Sequence, residues 1–156
     1  MSRRTKIKRN FPLADSVYNS VLVSLMISKI LKNGKKIRAE KIIYEAFEII
    51  EKKTKVSPLR IFEKAIKRVS PSVQIKSKRN SNSTLQVPKE IRFFRGINLS
   101  LCWIIQFAKV RPGRTMAIKL ANEIIDASRG SGNSIRKKEE THRMAKANKV
   151  FAYQNT

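Results

Sequence analysis

Few residues in this chain could carry out a reaction. The single histidine, His142, has no second ligand or triad partner at a workable spacing. The single cysteine, Cys102, excludes an internal disulfide and any multi-cysteine zinc site, and its apolar helical setting predicts a buried thiol. Glu45 and Glu48 belong to the densest acidic group, but their helical spacing places them on a solvated face, not in a pocket. Gly130-Ser131-Gly132 follows no strand and reads as a helix stop rather than a phosphate loop. With no nucleophile–base set, no metal cluster and no phosphate loop, catalysis is not expected. What the side chains can do is neutralise phosphate. Thirty-five Lys and Arg stand against 11 Asp and Glu, a net charge of +24 in 156 residues. Self-repulsion of that size calls for a polyanion, and a basic domain of pI above about 9 is the usual footprint of nucleic-acid binding. A membrane surface ranks second, since no apolar run reaches the roughly 18 to 20 residues of a spanning helix.

The basic residues must be positioned by a helical framework. At this length one folded unit with a real core is expected. Residues 1–13 hold Arg3, Arg4, Lys6, Lys8 and Arg9 without an acid and read as an extended basic arm of the mature protein. No apolar segment follows it as in a secretory signal. Residues 14–156 read as a single domain. A first helix is predicted from Asp15 or Ser16, either of which can cap it, to Lys32, stopped by Asn33-Gly34. A second spans about 35–53, its Ala39, Ile42, Ile43, Ala46, Phe47 and Ile50 following the i, i+3, i+4, i+7 rule. Ser57-Pro58 opens a third, which Ser70-Pro71 ends. The fourth, about 92–110, is the most apolar and the expected centre. Its opening Arg92-Phe93-Phe94-Arg95 interleaves aromatics with bases, and core packing is expected for the rings ahead of base stacking. Thr115 caps a fifth helix that Gly130 ends. Ser134 is placed to cap a sixth, to about Lys149, polar nearly all round and hence in need of something to dock on.

Only residues 70–90 look like strand. Val73 and Ile75 alternate with polar residues, Leu85 and Val87 flank Gln86, and Asn80-Ser81-Asn82 forms the turn. A β-hairpin at about 72–90 is expected, flanked by Lys76, Lys78, Arg79 and Lys89. Such a ribbon is marginal alone in water and suggests an arm laid on a large anion. The fold class is therefore all-α: a six-helix bundle-like domain with a protruding β-hairpin arm and a basic N-terminal extension. Bases in every inter-element turn suit the wide, discontinuous surface of folded RNA. An architectural DNA-bending protein is the rival, and its usual apolar wedge is missing from the Asn-rich tip. A nuclease is disfavoured by the missing carboxylate cluster.

The residues also resemble a known family, small-subunit ribosomal protein seven, over nearly the whole length. The matching stretches include Ser2-Arg3-Arg4, Asn33-Gly34-Lys35-Lys36 with Ala39-Glu40, and Lys76-Ser77-Lys78-Arg79 with Ser83-Thr84 and Gln86-Val87-Pro88. They continue with Met116-Ala117, Leu120-Ala121-Asn122-Glu123, and the strongest run, Arg136 to Ala145, followed by Ala147-Asn148-Lys149 and Phe151-Ala152. Arg111-Pro112-Gly113-Arg114 and the block from Gly130 to His142 look most like the plastid branch, and the Lys, Ile and Asn richness is compatible with a low-GC organelle genome. Three departures stand out: Asn80-Ser81-Asn82 replaces the family's Val-Gly-Gly tip, Cys102 stands where a basic residue is frequent, and Tyr153-Gln154-Asn155-Thr156 leaves the pattern.

The resemblance implies a helical core with a hairpin arm and a structural constituent of the small ribosomal subunit in translation. It implies binding to the 3′ major domain of small-subunit ribosomal RNA, nucleation of head assembly, and a place bordering the exit site near messenger and transfer RNA. Implied neighbours are ribosomal proteins nine and eleven. No cofactor, metal, membrane or small-molecule substrate is implied, and the expected compartment is the plastid stroma, with the bacterial cytoplasm as the alternative. Carried onto this chain, the RNA-binding residues are Arg3, Arg4, Lys8, Arg9, Lys35, Lys36, Lys76, Lys78, Arg79, Arg95, Arg111, Arg114 and Met116. The side nearest transfer RNA falls on the hairpin tip and on Arg136, Lys137, His142, Arg143 and Lys146.

Overall fold

The structure, a computed structural model, describes residues 12–80 and 83–149. These hold six helices and one two-stranded antiparallel sheet. The order is α1 (Val21–Ile30), α2 (Lys36–Thr54), α3 (Pro58–Val69), β1 (Val73–Asn80), β2 (Ser83–Glu90), α4 (Phe93–Val110), α5 (Met116–Arg129) and α6 (Asn133–Ala147).

The periodic segments fold as their patterns dictate. In α2, Ala39, Ile43, Ala46, Phe47 and Ile50 are buried while Glu45 and Glu48 stay exposed. α3 starts at Pro58, whose fixed φ suits a first helical residue, and buries Phe62, Ala65, Ile66 and Val69. Thr115 caps α5 by accepting the Ile118 N–H, and Gly130 ends it in the left-handed region at φ 91°. Tyr18, Phe47 and Phe62 form an aromatic run through the core, Tyr18 meeting Phe47 edge-on at 4.9 Å and Phe47 lying 5.5 Å from Phe62.

The centre is α5, not the more apolar α4. α5 packs against α2, α3, α4 and α6. Its small Ala117, Ala121 and Ala127 are all buried and let neighbours close in on several sides. α4 turns a narrower stripe inward, from Gly96 and Ile97 to Ala108. Cys102 sits one residue round from that stripe and is exposed, against the expectation of a buried thiol. Phe93 and Phe94 precede the stripe and are 83% and 43% exposed, so neither ring packs in the core as expected.

Two helix starts also differ from the sequence reading. α1 begins at Val21, because Asp15 caps a turn instead of a helix. Its carboxylate accepts the N–H groups of Val17 and Tyr18 at 3.3 and 3.1 Å and the Tyr44 hydroxyl at 2.8 Å. Asn19, at φ 45°, then interrupts the chain before the helix. In α6 the cap position is Gly132, and Ser134 is buried in the first turn, donating its hydroxyl to Glu123 Oε1.

The hairpin pairs Val73 with Glu90 through Asn80 with Ser83, leaving two residues, 81 and 82, between the strands. A three-residue Asn80-Ser81-Asn82 turn would have put Val73, Ile75, Leu85 and Val87 on one face. The observed register is shifted by one, so Val73 and Ile75 share a face with Pro88, and Leu85 and Val87 share the opposite face with Lys76 and Lys78.

Candidate nucleic-acid interface

The period-two rule and the register assemble a cationic face on the ribbon. Lys76 lies across from Val87, Lys78 from Leu85, and Gln74 from Lys89. Three lysines therefore line one face with two apolar neighbours, and Arg79 points to the other face opposite Thr84. Lys76, Lys78, Arg79 and Lys89 are exposed, whereas Val73, Gln74 and Ile75 at the foot are half-buried.

Contacts at its foot hold the ribbon to the helices. His142 Nε2 accepts the Ser72 backbone N–H at 3.2 Å, and Arg95 Nε donates to Gln74 Oε1 at 3.0 Å. Lys138 Nζ, one turn before His142, donates to the Arg68 carbonyl at 2.6 Å at the end of α3. Burial, with Lys138 and Lys146 nearby, pushes the His142 pKa below the usual 6.5, which favours the neutral ring that can accept this bond. The nearly all-polar α6 thus docks on β1, α3, α4 and α5. Its Ile135 and Ala145 turn inward while Arg136, Arg143 and Lys146 face solvent. Arg136, Lys137 and Arg143 meet Phe107, Asn133 and Glu140 around a surface depression of about 330 Å³, with Lys137 paired to Glu140 at 2.8 Å.

The helix starts add to the positive field. None of the six helices carries an acid in its first turn. α2 instead begins behind Lys35 and Lys36, and Arg92 and Arg95 flank the start of α4. A cation at the positive end of a helix dipole is unfavourable by a few tenths to about 1 kcal/mol, and an anion there reverses the sign. Asn33 and Gly34, at φ 52° and 72°, present Lys35 and Lys36 on an exposed turn, and only Lys36 has a carboxylate near, Glu40 at 3.3 Å.

The turn after α4 divides its two arginines. Arg114 is exposed. Arg111 folds back, donating to the carboxylates of Glu123, which is fully buried, and Asp126. Glu123 also accepts the backbone N–H of Ser134 at 3.2 Å, so one carboxylate ties the α4–α5 turn to the start of α6. Burial works against the Arg111 charge, but the bonds from Asp126 and Glu123 outweigh it and raise its pKa. Met116 is half-buried against the core. Arg111 thus carries an ion-pair network, and Met116 packs.

Arg3, Arg4, Lys8 and Arg9, the tip residues Ser81 and Asn82, and the chain beyond Lys149 lie outside the described residues. Among the described residues no His, Cys, Asp or Glu cluster could hold a metal, and no helix is long and apolar enough to cross a membrane.

A strongly basic helical body bearing a hairpin, with Asp15, Glu123 and Asp126 held in internal bonds, matches one family model along almost its whole length. That model, ribosomal protein S7p/S5e, covers residues 2–149. The chain belongs to the ribosomal protein S7 family. It is 52% identical to small ribosomal subunit protein uS7c of Cyanidium caldarium over 153 residues, 98% of each chain. It is 58% identical over 144 residues to uS7c of Trieres chinensis, covering 92% of this chain and 91% of that one. Small ribosomal subunit protein uS7 of Trichormus variabilis is 52% identical over 98% of both. Membership makes this an S7-family protein of the small ribosomal subunit, a structural protein and not an enzyme, with plastid-type and cyanobacterial relatives. Against the site residues that the S7 resemblance brings, the register adds Lys89, which the period-two pattern of β2 could have supplied. Lys53, which donates to Asn122 at 2.7 Å, and Arg129 line a surface cleft and carry no local sequence signal.

Proposed function

We propose that this S7-family protein binds the 3′ major domain of small-subunit ribosomal RNA in a plastid ribosome and nucleates assembly of the head. Its hairpin and α6 border the exit site, near messenger and transfer RNA, with ribosomal proteins nine and eleven as neighbours. The uS7c names of the algal relatives favour the plastid, and the cyanobacterial relatives keep a bacterial cytoplasm as the alternative. The observation that carries this reading is the one-sided ribbon. Lys76, Lys78 and Lys89 line one face, and the ribbon is braced at its foot by His142 and Arg95. A braced cationic arm neutralises phosphates without losing its geometry, and it recognises shape more than sequence.

Filter binding to a 3′ major domain transcript across a salt series tests it. Lys35→Ala with Lys36→Ala is expected to weaken binding and to flatten the slope of log K against log salt by roughly one unit per lost phosphate contact. Preference for duplex DNA over the transcript at physiological salt would overturn the RNA reading. Co-sedimentation with small subunits from plastids decides the compartment.

A further inference from the structure

A groove of about 630 Å³ lies at the foot of the hairpin. That is within the roughly 300–1,000 Å³ of sites enclosing a small organic ligand. Leu22, Ile66, Pro71 and Ile97 give it apolar walls, and Phe93 stands at its edge with 83% of its surface exposed. Gly96 lets α4 close against the end of α3, since a Cβ there would fall 2.6 Å from Ser70 Oγ and 3.3 Å from the Pro71 carbonyl. Lys67 and Glu63 line the groove, and Arg92 and Arg95 stand beside Phe93 in the chain.

We propose that this groove takes one unstacked base of single-stranded RNA, laid on the Phe93 ring, with its phosphate held by Arg92 and the start of α4. The proposal rests on the RNA-binding reading above and adds a base pocket to it. Three observations favour a nucleotide over an apolar protein segment. An exposed ring beside an apolar slot offers a stacking surface that any base can use. The start of α4 has no side-chain cap and no acid in its first turn, which suits the phosphate attached to such a base. Ile91, in the groove wall, follows two residues after Lys89, so a strand tracking the ribbon lysines ends at the pocket. A bound apolar helix would instead bring no counter-charge to Arg92.

The test uses the full chain and a ten-nucleotide single-stranded RNA with one central 2-aminopurine, alongside a blunt duplex of the same sequence. Binding of the single strand is expected to raise the 2-aminopurine fluorescence, because the base leaves the neighbours that quench it in the free strand. Phe93→Ala is expected to abolish the rise and to weaken single-strand binding roughly tenfold, within the range for stacking one base on an aromatic ring. Phe93→Tyr, which keeps the stacking face, restores both. Phe94→Ala, one residue away and outside the groove, changes affinity less than twofold, and duplex binding is the same for all variants. Two results would overturn the proposal while leaving RNA binding intact. One is an unchanged fluorescence rise in Phe93→Ala. The other is an equal loss for single strand and duplex, which would make Phe93 a general contact. If Phe93→Ala leaves RNA binding alone but prevents association with another ribosomal protein, the groove is a protein-docking site and the proposal fails. If wild type binds neither RNA, the RNA-binding reading itself fails.

Discussion

Replacing Arg111 with alanine separates two roles for that residue. Its guanidinium faces Glu123 and Asp126, whose side chains are 0% and 35% exposed, while its own is 21% exposed. Removing one partner of a buried pair costs about 3–5 kcal/mol, because the other charge is left buried without compensation. The lower end applies here. Arg111 and Asp126 keep some water, and Glu123 retains the Ser134 hydroxyl and N–H as donors. A loss of about 3 kcal/mol lowers the melting temperature of a chain this size by roughly 6–12 °C, at about 2–4 °C per kcal/mol. Arg114→Ala, three residues on and exposed, should stay within about 0.5 kcal/mol of wild type. Calorimetry on the free protein measures both, and a filter-binding salt series below the lower melting temperature measures RNA contact. The expected result is crossed: Arg111→Ala loses stability and keeps its salt slope, whereas Arg114→Ala keeps stability and flattens the slope. Should Arg111→Ala melt within 2 °C of wild type, the ion-pair reasoning is refuted. A flattened slope with unchanged stability would return Arg111 to the RNA surface.

Other expectations follow from the same geometry. The folded-state pKa of His142 lies below the 6.5 of the free group, so the unfolded chain binds more protons in that window. The His142 contribution is therefore complete above pH 6.5 and falls as the pH drops below it. His142→Gln, which cannot titrate, should narrow the melting-temperature difference between pH 7.5 and pH 5.5, and an unchanged difference would contradict the lowered His142 pKa. Gly96→Val forces a branched side chain against the Pro71 carbonyl and should cost about 1–3 kcal/mol by urea titration. Tyr44→Phe removes the hydroxyl donor to Asp15 and should cost about 1 kcal/mol, while the core ring stack stays in place. Reversing Lys76 alone to Glu should reduce RNA affinity more than reversing Arg79 alone, because only Lys76 lies on the lysine face. Equal losses would mean that both faces of the ribbon touch RNA.

What could be read from the sequence depended on how local each signal was. α2 was legible from unbroken apolar periodicity alone, and α3 and α5 because such periodicity coincided with Pro58, Thr115 and Gly130 at their ends. α1 was misplaced because Asp15 can cap a helix or a tight turn equally well. The choice was decided by Tyr44, 29 residues away. Cys102 and Phe93 went wrong by a fraction of a helical turn, which side chain types do not fix. The hairpin was visible from alternation, but its faces were not. Whether two or three residues form the loop decides which side chains share a face, and Asn80-Ser81-Asn82 is compatible with both. The ion pairs of Arg111 were not legible because its partners lie 12 and 15 residues on, across a turn. Lys76, Lys78, Arg136 and Arg143 each stand exposed where their element pattern put them.

The distribution of acids gives the excess charge a structural meaning. Of the 11 carboxylates, Asp15, Glu123 and Asp126 serve internal bonds that fix the entry to α1 and the α4–α5–α6 junction. Glu40 and Glu140 each pair with a lysine on their own helix. Glu45 and Glu48 sit on the outer face of α2. None stands in the first turn of a helix, where a carboxylate would stabilise most readily. The positive helix ends, the ribbon face and the outer side of α6 are thus left to a partner that brings its own negative charge in a regular array. A free protein built this way carries unrelieved repulsion at several separate places on its surface, each modest alone. An RNA that reaches all of them at once relieves them together, and the affinity gained that way needs no base-specific contact.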